Sequence, residues 1–385
     1  MLSSGGGPSD CVPMTAIVQK RTGLEVGIAF CDVGELSQKA IEAERAGVRL
    51  FRFRRKLRWW NPIGFSLDFM RRFESVAKEY DVVHTNAEWL FTIWWAAFVA
   101  VKLRKKLVMM PHGSFEPERL RKSRWKKLLV GWIDKWAVRH AASVWATAEC
   151  EAAGVEAFVP GTRVEIFPIG VEVEKYSCSR QMGKTILYFS RISPVKGLDM
   201  LAEAWGLVVS RQSLVASGEG GVVSRESLVA SGKRWKLLIV GPDDRGYTEE
   251  AKKMFAAKCE PGSYEFRPPV YGEEKFRLLS SVDAFILPTY NENWGIAVAE
   301  AMASGLPVIC TKGAPWQCLE MAHAGWWTDI TAEGIECAIR KLIGLSRQER
   351  LDMGANGRAW VEENLGWPKI GHEMRKSYER LCAGA

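Results

Sequence analysis

The chain has 385 residues, 47% hydrophobic and 25% charged, which allows two globular domains of ordinary size, each with its own core. The longest uncharged apolar run, WLFTIWWAAFVAV at 89–101, falls short of the roughly 20 residues that a bilayer span needs. It reads as a buried helix. The opening MLSSGGGPSD lacks the basic and apolar regions of a signal peptide, and the nine cysteines and five histidines form neither a CxxC nor a ligand cluster. This pattern argues against a disulfide framework or a metal site and for a cytoplasmic location.

The net charge of +8 is one-sided. Residues 1–170 hold 26 Lys and Arg against 18 Asp and Glu, whereas residues 171–385 hold 27 of each. The basic residues interleave with Trp and Leu in RLFRFRRKLRWW (49–60) and LRKSRWKKLLVGWIDKWAVRH (120–140). From Arg49 to Arg58 and from Arg121 to Arg139, such a pattern suits the anionic inner face of a membrane. A solvated basic helix with core-facing Trp is the plainer alternative. No recognition motif for nucleic acid accompanies the charge.

In chain order, short apolar runs alternate with helical patterns. EVGIAF (25–30), VRLFRF (48–53), DVVHTN (81–86), KLVMMP (106–111), SVWATA (143–148) and RVEIFP (163–168) read as strands of the first half. TILYFS (185–190), WKLLIVG (235–241), DAFILP (283–288) and LPVICT (306–311) do so in the second. Strands separated by helices predict parallel sheets, hence two Rossmann-like, doubly wound α/β domains. The expected division is 1–172, 173–364 and a last helix at 365–385. VVSRQSLVASG (208–218) recurs as VVSRESLVASG (222–232), a tandem duplication to which no function is assigned.

Ligands of such domains bind where parallel strands end and helix N-termini present unbonded N–H groups. After TILYFS, SRISPVKG places Arg191 and Lys196 at a strand exit, able to straddle a diphosphate. Taken alone, a lone R-x4-K pair is usually two solvated loop cations. VGPDDRG brings Gly241 to a second exit. In LPTYNENWGIAVAEAMA (287–303), Asn293, Trp294 and Gly295 lead into a helix flanked by Glu292 and Glu300. A helix N-terminus attracts phosphate, and carboxylates beside it accept from paired sugar hydroxyls. Together they suit a nucleotide sugar. His112 stands at the exit of KLVMMP, as a ligand-facing group or as a turn histidine, and His84 reads as structural.

The set SRISPVKG, LLIVGPD, E-x7-E and AEAMASGLPVICTKGAPW, with PHG upstream, resembles the retaining glycosyltransferases of family 4 (RfaB/WaaG-like group 1 enzymes), which have the GT-B fold. The resemblance extends over nearly the whole chain. It implies two domains facing a cleft, an acceptor-side one at 1–172 and a donor domain at 173–364, with the last helix crossing back to the first. It further implies metal-independent transfer of a hexose, with retention, from a UDP- or GDP-linked donor to a lipid-linked or polysaccharide acceptor, as in cell-surface polysaccharide or lipopolysaccharide synthesis. Glu300 would bond the ribose, Glu292 the transferred sugar, and Arg191 and Lys196 the diphosphate. His112 would point toward the donor sugar, and a loop including Gly6 and Gly7 would approach phosphate and acceptor.

Family members begin with an apolar strand ahead of that loop, and here Gly5, Gly6 and Gly7 follow only MLSS. A missing central strand would leave its neighbours' ladder groups unpaired. This departure keeps a second expectation open, that of a catalytically inactive GT-B binding protein or subunit with a truncated N-terminal domain. A nucleotide-sugar epimerase on the same fold is a third.

Overall fold

The computed structural model describes residues 7–31, 34–55, 64–115, 124–178, 183–217 and 234–384. Gly6, residues 56–60 and 120–123 of the basic stretches, and the second copy of the duplication lie outside them. The chain divides into two compact units, residues 1–170 with 367–385 and residues 171–366.

The first unit carries six short parallel strands: β1 (Gly27–Cys31), β2 (Arg49–Phe53), β3 (Val82–Asn86), β4 (Lys106–Met110), β5 (Ser143–Ala146) and β6 (Val164–Ile166). They form not one sheet but two, β1-β2 and β3-β4-β5-β6. The same apolar layers flank both pieces. Ile28 of β1 and Val108 of β4 share one layer, whereas Phe53 of β2 packs with Val83 of β3 and Met109 of β4 in the other. Among the described residues, β1 and β3 therefore each have a single strand neighbour. No strand precedes α1 (Gly7–Arg21) among the described residues, and Gly7, expected in a loop, opens that helix.

Helices α2 (Gln38–Arg45), α3 (Leu67–Lys78), α4 (Phe91–Lys102), α5 (Arg124–His140) and α6 (Glu149–Phe158) connect the strands. α2 and α3 start at Ser37 and Ser66, whose side chains accept from Ala40 N and Phe69 N and so satisfy N–H groups that the first turn leaves unbonded. The apolar run at 89–101 becomes α4, with Trp94, Ala97 and Ala100 buried. No described helix is long and apolar enough to cross a membrane.

The second unit has one six-stranded parallel sheet in the order β12-β11-β10-β7-β8-β9. Its strands are β7 (Thr185–Phe189), β8 (Lys236–Val240), β9 (Tyr264–Arg267), β10 (Ala284–Leu287), β11 (Val308–Thr311) and β12 (Gly325–Thr328). The edge strands β9 and β12 were not among the expected strands. The intervening helices are α7 (Leu198–Ser217), α8 (Tyr247–Lys258), α9 (Gly272–Ser280), α10 (Ile296–Ala303), α11 (Cys318–Met321), α12 (Ala332–Gly344) and α13 (Arg347–Leu365). The order reverses between β7 and β10, the switch point at which such sheets bind ligands.

The last helix, α14 (Trp367–Ala383), belongs to the first unit. It packs on α1 so closely that a Cβ on Gly371 would overlap Val18. Tyr378 of α14 also bonds His84 Nδ1 of β3 (2.6 Å) and accepts from Gln19 of α1 (3.0 Å), tying three elements together through one phenol.

Candidate active site

In the second unit the strand exits are held to one another by backbone. A Cβ on Gly241, after β8, would overlap the Ser190 carbonyl after β7, and one on Gly313, after β11, would overlap the Thr289 and Tyr290 carbonyls after β10. Gly197 (φ +68°) lies against the Pro288 carbonyl, so it needs both the left-handed backbone and the missing side chain. Gly241, expected to offer backbone to a ligand, is thus also required by the close packing of these two exits.

Upon this frame, Ser193 to Gly197 form a short turn that carries Lys196 inward, only 6% exposed. Its ammonium pairs with Glu292 Oε2, and a charge so buried requires such a partner. Glu292 N in turn donates to Gly313 O (2.7 Å), which fixes the turn from β10 to α10 against the turn after β11. The buried Cys310 thiol beside this pair is pushed up by its own desolvation and stays protonated. Arg191, at the β7 exit, is by contrast more than half exposed, with Nη1 3.9 Å from Asp244. Lys196 and Glu292 are therefore in direct contact, whereas Arg191 stands off toward solvent.

Gly295 (φ +78°) turns the chain into α10, and no side chain caps that helix, which leaves its leading N–H groups without a cap. Asn293 and Trp294 precede it. The Trp294 carbonyl accepts from Trp316 Nε1, and the two rings lie 5.0 Å apart. One turn into α10, Glu300 is 9% exposed. Its Oε1 accepts from Tyr176 Oη (2.9 Å) and pairs with Lys275 Nζ (2.6 Å). Sequence reasoning missed Lys275 and Tyr176. The only trace of them was a lysine in the helix before DAFILP and a tyrosine in an unassigned connection.

In the first unit, His112 follows β4 with φ +51° and is 9% exposed, its Nε2 lying 3.0 Å from Asn86 Oδ1 at the exit of β3. Gly113 N donates to the buried Glu151, which also accepts from Thr147 N and Oγ1 (both 2.7 Å). His84 is neutral: burial pushes its pKa down to about 3, as befits a ring held by Tyr378. Gly7 lies in α1. Among the described residues, no group of three or more His, Cys, Asp or Glu side chains is arranged for a metal ion.

Two parallel α/β units, one carrying an Arg-x4-Lys loop and an E-x7-E turn on either side of its switch point, define a GT-B glycosyltransferase. Residues 175–360 match the family model of the glycosyl transferases group 1, residues 6–170 match that of the glycosyl transferase 4-like domain, and the chain belongs to the group 1 glycosyltransferases. It is similar to the GDP-mannose:cellobiosyl-diphosphopolyprenol alpha-mannosyltransferase of Xanthomonas campestris, 24% identical over 65% of this chain and 61% of that one. The chain thus spans about three fifths of the first curated relatives that it matches. Among solved structures it shares its fold with HepE of Anabaena (17% identity, 98% of each chain, TM-score 0.73). It does so too with WaaG, a glycosyltransferase involved in lipopolysaccharide biosynthesis (15% identity, 96% and 95% of the two chains, TM-score 0.63).

Proposed function

We propose that the protein transfers a hexose, with retention and without a metal ion, from a UDP- or GDP-linked sugar to a lipid-linked or polysaccharide acceptor at a membrane surface. The observation that carries this reading is the uncapped start of α10, set between Glu292 and Glu300 with the Lys196 ammonium alongside. A phosphate fits the helix start, and the carboxylates fit the hydroxyl groups on either side of it. In this reading Glu300 accepts from the ribose, Glu292 from the transferred sugar, and Lys196 and Arg191 take up the charge of the departing diphosphate. The acceptor oxygen bonds to the anomeric carbon on the face that the diphosphate leaves, and its proton passes to the released phosphate oxygen.

The relatives support the reading by what they are. The Xanthomonas protein uses GDP-mannose and a diphosphopolyprenol acceptor, and HepE was crystallised with UDP and with UDP-glucose. The exposed Trp132 and the cations Lys135 and Arg139 of α5 support the membrane contact.

The test is a screen of UDP, GDP, ADP and their sugars by thermal shift and ligand NMR, with Glu300→Ala as control. Transfer to a polyprenyl-linked acceptor is then followed with and without EDTA, and the anomeric configuration of the product is read by NMR. Stabilisation by one nucleotide that Glu300→Ala abolishes is the expected result. No response from folded protein would sink the reading. Inversion would sink its claim of retention, and loss of transfer in EDTA its claim of metal independence. The divided sheet of the first unit favours a second reading, an inactive nucleotide-binding subunit, which measurable transfer would exclude.

A further inference from the structure

Glu300 is gripped by one oxygen only. Tyr176 and Lys275 both end on Oε1, and no described residue donates a hydrogen bond to Oε2. The two grips come from different elements and are themselves held. Lys275 projects from α9, and its neighbour Phe276 meets the Tyr176 ring edge-on at 4.9 Å. Tyr176 is buried, and its backbone carbonyl accepts from Arg358 of α13 (2.7 Å). The same guanidinium also reaches the carbonyls of Val173 and of Ala303 at the end of α10. The Tyr176 phenol is pushed far above its usual range by burial and then by the Glu300 charge, so it acts as a donor at every working pH.

A carboxylate without these partners would be free to turn about its terminal bond. With them, one oxygen is assigned to the protein. We infer that Lys275 and Tyr176 are positioning residues, which commit Oε1 of Glu300 to the protein so that Oε2 remains as the acceptor for the nucleotide's ribose hydroxyls. They thereby set the preference for ribonucleotides over deoxyribonucleotides. The inference rests on the reading that Glu300 meets the ribose.

The experiment is calorimetric titration of the intact chain with UDP and GDP and with their 2′,3′-dideoxy counterparts. It compares the parent with Glu300→Gln, Lys275→Met, Lys275→Arg and Tyr176→Phe, each checked for an unchanged melting transition. The parent is expected to prefer the ribonucleotide by about tenfold or more, the worth of hydrogen bonds to a charged acceptor. Glu300→Gln should erase that preference. Lys275→Met and Tyr176→Phe should compress it several-fold while leaving dideoxynucleotide affinity within about twofold, and Lys275→Arg should restore most of it. In turnover, the donor KM of Lys275→Met should rise with kcat nearly unchanged.

A parent with no ribose preference would overturn the Glu300 reading and the inference with it. A ribose preference lost in Glu300→Gln but intact in Lys275→Met and Tyr176→Phe would overturn the inference alone. So would an equal loss of affinity for both nucleotide forms in those variants, which is the signature of a merely structural contact.

Discussion

Among the described residues both units lay six parallel strands, yet only the second joins them into one sheet. There the loops at the β7 and β10 exits leave adjacent, hydrogen-bonded strands, so the ladder itself fixes the spacing between Lys196 and Glu292. In the first unit the ladder stops between its two pieces, and side chains carry what the backbone does not. The apolar layers hold residues of both pieces, and the Gln19–Tyr378–His84 chain with the bonds from Ser377 and Arg380 to Glu165 ties α1 and α14 to the four-stranded piece. The contrast teaches where each unit is vulnerable: the second through its charged groups, the first through its helix packing.

The largest effect should come from the second unit. Lys196→Ala is expected to lower kcat/KM by about 10²–10³-fold, the usual loss when a charge-stabilising donor is removed. The unfolding of the second unit should change far less, because the sheet beneath the turn is untouched. A parallel loss of activity and of folded protein would break the contrast.

Next is Gly371→Ala. A methyl there meets Val18 and must push α14 off α1, and overpacking of this kind costs about 1–3 kcal/mol. Urea unfolding should show the first unit giving way earlier, while nucleotide affinity stays put. Unchanged unfolding would mean that the first unit does not depend on this seam.

The smallest effect sharpens the same point through pH. Glu88 and Asp134 face each other in the interior of the first unit, and burial, followed by that neighbour, pushes the Glu88 carboxyl well above its usual range. A raised carboxyl leaves stability intact below the unfolded value of about 4.3 and removes it as pH rises through the folded value. Glu88→Gln should therefore match the parent near pH 4 and exceed it by about 1 kcal/mol or more at pH 8. Parallel pH profiles of the two proteins would refute this.

In the second unit, the strands that sequence made legible are those buried in mid-sheet. Near-continuous apolar runs such as KLLIV and AFIL have no other comfortable place. The edge strands YEFR and GWWT, partly exposed along most of their length, carry no such run and passed as connections. The site shows the same divide. Glu292, Glu300 and Lys196 stand in local motifs whose spacing is visible, but Lys275 and Tyr176 reach Glu300 from 25 and 124 residues away, and only the fold makes them neighbours. Nor does a motif tell which partner an ionic group takes: Arg191 and Lys196 read alike in sequence, yet one is largely exposed and the other is buried against Glu292.

The three glycines at the strand exits have a consequence for anyone wishing to redesign the enzyme. Gly197, Gly241 and Gly313 each abut a carbonyl of the neighbouring loop, so any side chain at these positions would push a pair of strand-exit loops away from each other. A mutational library aimed at new donor sugars should hold these three constant and diversify the residues around them. In that scheme the loops are interchangeable fittings on a mount that accepts no alteration.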